Sequence, residues 1–126
     1  MKKIDTKDAP QAIGPYSQAV ACGDFLFVSG QIPINPASGK VEETTIEGQT
    51  KQVLANIDAI LRAAGTTKDR VVRAEIYLKD LSHFATVNTL YADYFSSPIK
   101  PARHAFQVSK LPLDVLIEIT CIAYLK

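Results

Sequence analysis

Between residues 45 and 64 the apolar positions recur at helical spacing. Ile46, Val53, Leu54, Ile57, Ile60 and Leu61 fall on one stripe, while Glu47, Lys51, Gln52, Asp58 and Arg62 face away. Thr44 or Thr45 can cap the start of this helix, and Gly65 supplies a left-handed residue to end it. A second helix is predicted from about His83 to Phe95, capped by Ser82, with Phe84, Val87, Tyr91, Tyr94 and Phe95 as its buried stripe. Other segments alternate with period two and read as strands: Gln18–Cys22, Phe25–Ser29, Val71–Leu78, Arg103–Val108 and Val115–Tyr124. Gly23-Asp24 joins the first two as a hairpin turn, and Pro33, Pro36 and Gly39 make Gly30–Lys40 a loop.

The resulting order is β-β-α-β-α-β-β, in which two helices cover one face of a sheet. The last strand is apolar on both sides, with Val115, Ile117, Ile119 and Cys121 alternating with Leu116 and Ile122. Something must cover the second face, and self-association is the simplest candidate. If the last two strands pair as a hairpin about Pro112, Ala105 lies opposite Glu118. Arg103 then shares Glu118's face of the sheet at roughly 7–8 Å.

Composition narrows the function classes. The chain has 126 residues, 47% of them apolar and 21% charged, which is the balance of one folded domain. Its 14 Lys and Arg against 13 Asp and Glu leave a formal net charge of +1, no electrostatic footprint for nucleic acid or an anionic membrane. Cys22 and Cys121 fit neither zinc-ligand nor redox-pair spacing and read as buried free thiols. The start has no apolar signal core and no segment approaches membrane-spanning length, so the expected setting is the cytoplasm.

Few side chains then stand out. Arg103 follows Pro101-Ala102 at the mouth of a strand, where its planar fork matches a carboxylate; a solvated arginine at a strand end is the competing reading. Glu118 interrupts an apolar strand, so it is paired, protonated or facing a polar cavity, unless it guards a sheet edge. Tyr16 sits in an irregular segment before the first strand, as a pocket cap or a packed ring. Asn88 breaks the buried stripe of the second helix, where its amide needs partners. Gly30 permits close approach of a ligand or backbone, or simply a turn. His83 and His104 are isolated, which supports neither a metal site nor a histidine-activated nucleophile.

Taken together, AIGPYSQ at 12–18, VSGQIP at 28–33, FATVN at 84–88, Pro101-Ala102-Arg103 and Ile117-Glu118-Ile119 resemble the RidA/YjgF family. The resemblance spans almost the whole chain, includes the Asn35-Pro36…Gly39 loop, and is strongest to the enamine/imine deaminase branch. It implies an α+β, chorismate-mutase-like fold with residues 1–126 as one domain. It also implies a homotrimer with helices outside a central barrel, and active sites in clefts between subunits. The implied activity is hydrolysis of 2-iminobutanoate, 2-iminopropanoate and related imino acids to 2-keto acids and ammonia, with no cofactor and no metal. By motif match, Arg103 would bind the carboxylate and Glu118 would orient or activate water. Tyr16 would line the pocket, Gly30 and Asn88 would shape it, and the Ala105 backbone would help hold the water or imine. Many relatives carry cysteine where this chain has Ala105, and a second acidic residue where it has Thr120. A non-catalytic sensor of keto or amino acids, or an RNA-cleaving translation inhibitor, are the competing functions. Near-neutral charge and the lack of a histidine pair count against the last.

Overall fold

The computed structural model describes residues 1–126, and the amphipathic stripe forms helix α1 (Ile46–Ala63). Thr45 Oγ1 accepts a hydrogen bond from the Gly48 N–H at 3.1 Å, which satisfies one of the free donors of the first turn. Gly65, with φ of +81°, turns the chain away at the other end. Val53, Ile57, Ile60 and Leu61 are fully buried. Helix α2 (Phe84–Tyr94) packs beside α1, with Val87 and Tyr91 turned into the core. Its start departs from expectation. Ser82 is no cap; it lies in a short 3-10 turn, Leu81–His83, where Asp80 Oδ1 accepts from the Ser82 N–H. That turn leads straight into α2, so no side chain is left to cap it.

Strands β1 (Lys2–Ile4), β2 (Ala19–Cys22), β3 (Phe25–Gln31), β6 (Val71–Leu78), β7 (Ala102–Gln107) and β8 (Ile117–Tyr124) build one sheet in the order β1-β2-β3-β8-β6-β7. A separate two-stranded ribbon, β4 (Ile34–Asn35) with β5 (Lys40–Val41), forms within the segment expected to be loop and one residue past its end. It and β1 are too short to show a period in sequence. The β2–β3 hairpin forms as expected, with Gly23 at φ +58°.

The expected hairpin between the last two strands does not form. β7 runs parallel to β6 at the sheet edge, and β8 inserts antiparallel between β3 and β6. Burial explains the difference. β8 buries Ile117, Ile119, Cys121 and Ala123 in an unbroken stripe and takes a central place, whereas α2 makes β6–α2–β7 a parallel crossover unit. Ala105 therefore pairs with Ile76, and Glu118 lies opposite Tyr77.

Both helices cover the face carrying Leu26, Val28, Ala74, Ile76, Leu78, Ile117, Ile119 and Cys121, all buried in one cluster. The other face, with Phe25, Phe27, Tyr77, Phe106, Glu118 and Ile122, has no layer over it within the chain. Phe25, Phe27 and Phe106 are 41%, 48% and 44% exposed. Cys121 is buried as expected, and burial pushes its thiol up to about 12. Cys22 is exposed, contrary to expectation, because it ends β2 at the hairpin turn.

Candidate active site

Arg103 leaves β7 on the helix-covered side, and α2 holds it there. Asn88 Oδ1 accepts from Arg103 Nη1 at 2.7 Å. The guanidinium lies 4.8 Å from the Tyr91 ring centre and 5.3 Å from that of Phe84. Residues 84, 88 and 91 share one face of the helix, so a single stripe supplies two ring faces and one acceptor. Only one of the five N–H donors is engaged within the chain. The others remain free beside a cleft of about 390 Å³ lined by Asn88, Tyr91, Phe95, Lys100, Pro101 and Arg103. An arginine fixed by π contacts and one amide, with donors unspent, has the geometry to accept a carboxylate as a partner.

Glu118 belongs to a different cleft, about 440 Å³, shared with Tyr16, Gln18, Gly30 and Pro112. Gly30 is what makes room for it. The β3–β8 register slips between Val28 and Gln31, and a Cβ built on Gly30 would overlap Glu118 Oε2. Thr120 donates its hydroxyl to the Val28 carbonyl at the edge of that slip, which keeps a disrupted ladder group satisfied. The Glu118 carboxylate is half-buried and makes no ion pair or hydrogen bond within the chain; burial alone raises its pKa. Tyr16 is 54% exposed, and its hydroxyl accepts from the Ile13 N–H at 3.3 Å, which folds the 13–16 segment over the cleft. Gln18, buried, ties residues 6–10 down behind it. Its amide donates to the Thr6 and Pro10 carbonyls at 3.0 and 2.8 Å and accepts from the Thr6 N–H at 2.8 Å.

The structure thus gathers Tyr16, Gly30 and Glu118 at one cleft and Asn88 and Arg103 at another. Ala105 lines neither; its side chain packs on the core from the edge strand. The expectation that Arg103 and Glu118 share a face is overturned. Through the register, Arg103 aligns with Ala74 and Cys121, which face the helices, while Glu118 points with Thr120 to the open side. Two strand spacings and three residues along the strand separate them by about 14 Å at the backbone. No small molecule reaches both within one chain.

Three residues of β6 near Glu118 escaped notice as site candidates in the sequence. Tyr77, directly opposite it, donates to Glu75 Oε2 at 2.5 Å, and Arg73 Nε donates to Glu75 Oε1 at 3.0 Å. Arg73 Nη2 also lies 2.9 Å from His104 Nδ1, a contact that needs a lone pair on that nitrogen. The Tyr77 and Arg73 hydrogen bonds hold the Glu75 carboxyl below its ordinary range, and the same bond pushes Tyr77 up to about 12. Two carboxylates on one face are driven apart, Glu75 down and Glu118 up. The signal was the polar side of β6, alternating Arg73, Glu75 and Tyr77. No group of three or more His, Cys, Asp or Glu side chains is placed to hold a metal ion.

The family model described as Endoribonuclease L-PSP matches residues 6–125. The YjgF gene product of E. coli superposes with a TM-score of 0.95 at 43% identity over 100% of both chains. The chain belongs to the RidA/YjgF family. Among further Rid relatives, a RutC family protein of Pyrococcus horikoshii is 54% identical over 96% of this chain and 95% of its own. The chloroplastic Reactive Intermediate Deaminase A of Arabidopsis thaliana is 47% identical over 97% of this chain and 65% of its own length. The two-helix, mixed-sheet architecture is thus the Rid α+β fold, and a relative within the family is a deaminase by name. No helix is long and apolar enough to cross a membrane.

Proposed function

We propose that this protein hydrolyses reactive 2-imino and enamine acids, 2-iminobutanoate and 2-iminopropanoate among them, to 2-keto acids and ammonia. The observation that carries the reading is the division of the site. A carboxylate receptor, Arg103, and a carboxylate with raised pKa, Glu118, lie at separate clefts on opposite faces of one sheet. Each is a half-site. A homotrimer in which the open, phenylalanine-bearing face packs against neighbouring copies would cover that face and could bring Arg103 of one protomer to Glu118 of the next.

In such a site Arg103 and Asn88 hold the substrate carboxylate, and Tyr16 closes the pocket over the imine. Glu118 takes a proton from water as its oxygen bonds to the electrophilic carbon. It then gives that proton to nitrogen and takes the hydroxyl proton as the C=O bond forms, the C–N bond breaks and ammonia leaves. A carboxyl whose pKa is raised by desolvation binds a proton more readily than a free one, which suits it to both steps. The Ala105 backbone, on an edge strand with one row of unpaired groups, is available to the water or the imine. A protonated imine is already a strong electrophile, so positioning supplies most of what catalysis needs. The small-molecule ligand, the trimer, the absence of a cofactor and a cytoplasmic setting belong to this reading.

The test is keto acid release in a threonine dehydratase-coupled assay with semicarbazide as competing trap. Arg103→Ala is expected to lose about a hundredfold or more, because an unpaired carboxylate replaces a charge-assisted fork. Full activity in that variant would sink the assignment. The description of the matching family model favours RNA cleavage as a second reading. His83 precedes α2 and His104 lies on the open face, so the two form no pair for acid–base chemistry on a ribose. RNase activity abolished by Arg103→Ala, with no imine turnover in the parent, would reverse the order of the two readings.

A further inference from the structure

We infer that Leu113 and Ile13 form an apolar subsite that favours 2-imino acids with branched aliphatic side chains over the smallest ones. The inference rests on the imine deaminase reading and specifies its substrate class.

Leu113 has φ of 54° and ψ of 19°, and Asp114 follows with φ of 54°. Two successive non-glycine residues in the left-handed region carry a conformational cost that glycine would avoid. The turn is held from both ends. Leu111 and Val115 are buried at 7% and 1% exposure, and the Asp114 and Val115 N–H groups donate to the Leu111 and Pro112 carbonyls at 3.1 and 3.3 Å. Lys79 Nζ pairs with Asp114 Oδ2 at 3.0 Å.

Within one chain the fold gains nothing from leucine here. Its side chain is 71% exposed, so neither burial nor backbone preference accounts for it. It lines the Glu118 cleft. Ile13, 85% exposed, lines the same cleft from the segment pinned by the Tyr16 hydroxyl. Two separate segments thus expose large aliphatic side chains around one carboxylate. The cleft's volume of about 440 Å³ leaves room beside an imino acid of three or four carbons. A branched aliphatic tail would be desolvated against these two side chains, which is where an apolar pocket discriminates.

The measurement is kcat/KM for imines generated in place from leucine and from alanine by an amino-acid oxidase, compared as a ratio. Leu113→Gly adopts the same backbone without strain, so the turn is kept. The leucine-to-alanine ratio should fall about tenfold while the melting temperature rises. Ile13→Ser should lower the ratio in the same direction. An unchanged ratio in both variants overturns the subsite. So does a variant that changes oligomeric state by light scattering, because the side chains would then be packing residues. If the parent turns over neither imine, the deaminase reading itself falls; if it turns over the alanine imine with a ratio neither substitution moves, the subsite alone falls.

Discussion

Arg103 and Glu118 are both exceptional residues on strands of one sheet, yet their surroundings are opposite in kind. Arg103 is scaffolded: a ring on either helical turn, an amide acceptor at 2.7 Å, and a proline before its strand. Glu118 is undercommitted, half-buried, without an ion pair, and seated against a glycine that cannot contact it through a side chain. The difference teaches how labour is divided. A group that recognises a fixed feature, a carboxylate, gains from being held still. A group that must accept and release a proton gains from the absence of partners that would fix its charge. Because the two lie on opposite faces, the division is also between protomers in the proposed assembly.

That last point gives the largest expected effect. Arg103→Ala and Glu118→Gln should each be nearly inactive alone. Unfolded together in equal amounts and refolded, they should recover about a quarter of wild-type activity, since one site in four then draws an intact residue from each protomer. A mixture as inactive as its parents would show that both residues must come from one chain, and the half-site comparison would collapse.

Within the Glu118 half, Gly30→Ala is next in size. The new methyl overlaps Glu118 Oε2, and a shift of about 1 Å at the reacting carboxylate is worth about a hundredfold in kcat. Gly30 has no positive φ, so circular dichroism and melting should change little. Within the Arg103 half, Asn88→Ala removes one of several restraints, because the rings of Phe84 and Tyr91 remain. The expected result is a KM raised about tenfold with kcat nearly intact. A kcat effect equal to that of Gly30→Ala would mean the two halves do not differ in function.

The sequence pattern revealed both helices, because stripes of 18 and 11 residues repeat their signal over several turns. It located Arg103 and Glu118 as anomalies, and the ordered motifs named the family. It misplaced their relation for a specific reason. β7 and β8 are neighbours along the chain, and a short connection suggests a hairpin, but β8 carries an unbroken buried stripe, Ile117, Ile119, Cys121 and Ala123, and is drawn to the centre of the sheet. Strand order depends on competition among all strands for buried positions, which no local window contains. The Arg73–Glu75–Tyr77 network was equally hidden, since alternation marks those residues as one face without saying that their hydrogen bonds converge. Ala105 shows the remaining limit: its implied role is a backbone one, and a backbone role leaves no mark on residue identity.

The smallest effect compares Glu118 with Glu75 on the same open face. Glu118 has its pKa raised by burial, so the folded state holds its proton more tightly than the unfolded state does. Its ionisation therefore costs stability, a cost absent below the unfolded carboxylate pKa of about 4.3 and growing as pH rises through the folded value. Glu118→Gln should raise the melting temperature by a few degrees at pH 7, and the gain should fade towards pH 4. Glu75 has its pKa lowered by the Tyr77 and Arg73 hydrogen bonds, so its ionised form stabilises the fold above the unfolded pKa. Glu75→Gln should lower the melting temperature at pH 7, and the loss should shrink only as pH falls from about 4.3 through the depressed folded value. Thermal scans of both variants from pH 3 to pH 7 would read the two slopes directly. Opposite signs would tie the idle carboxylate to the chemistry and the bonded one to the scaffold; equal signs would mean that Glu118 has a partner, and that its solitude is not what suits it to move a proton.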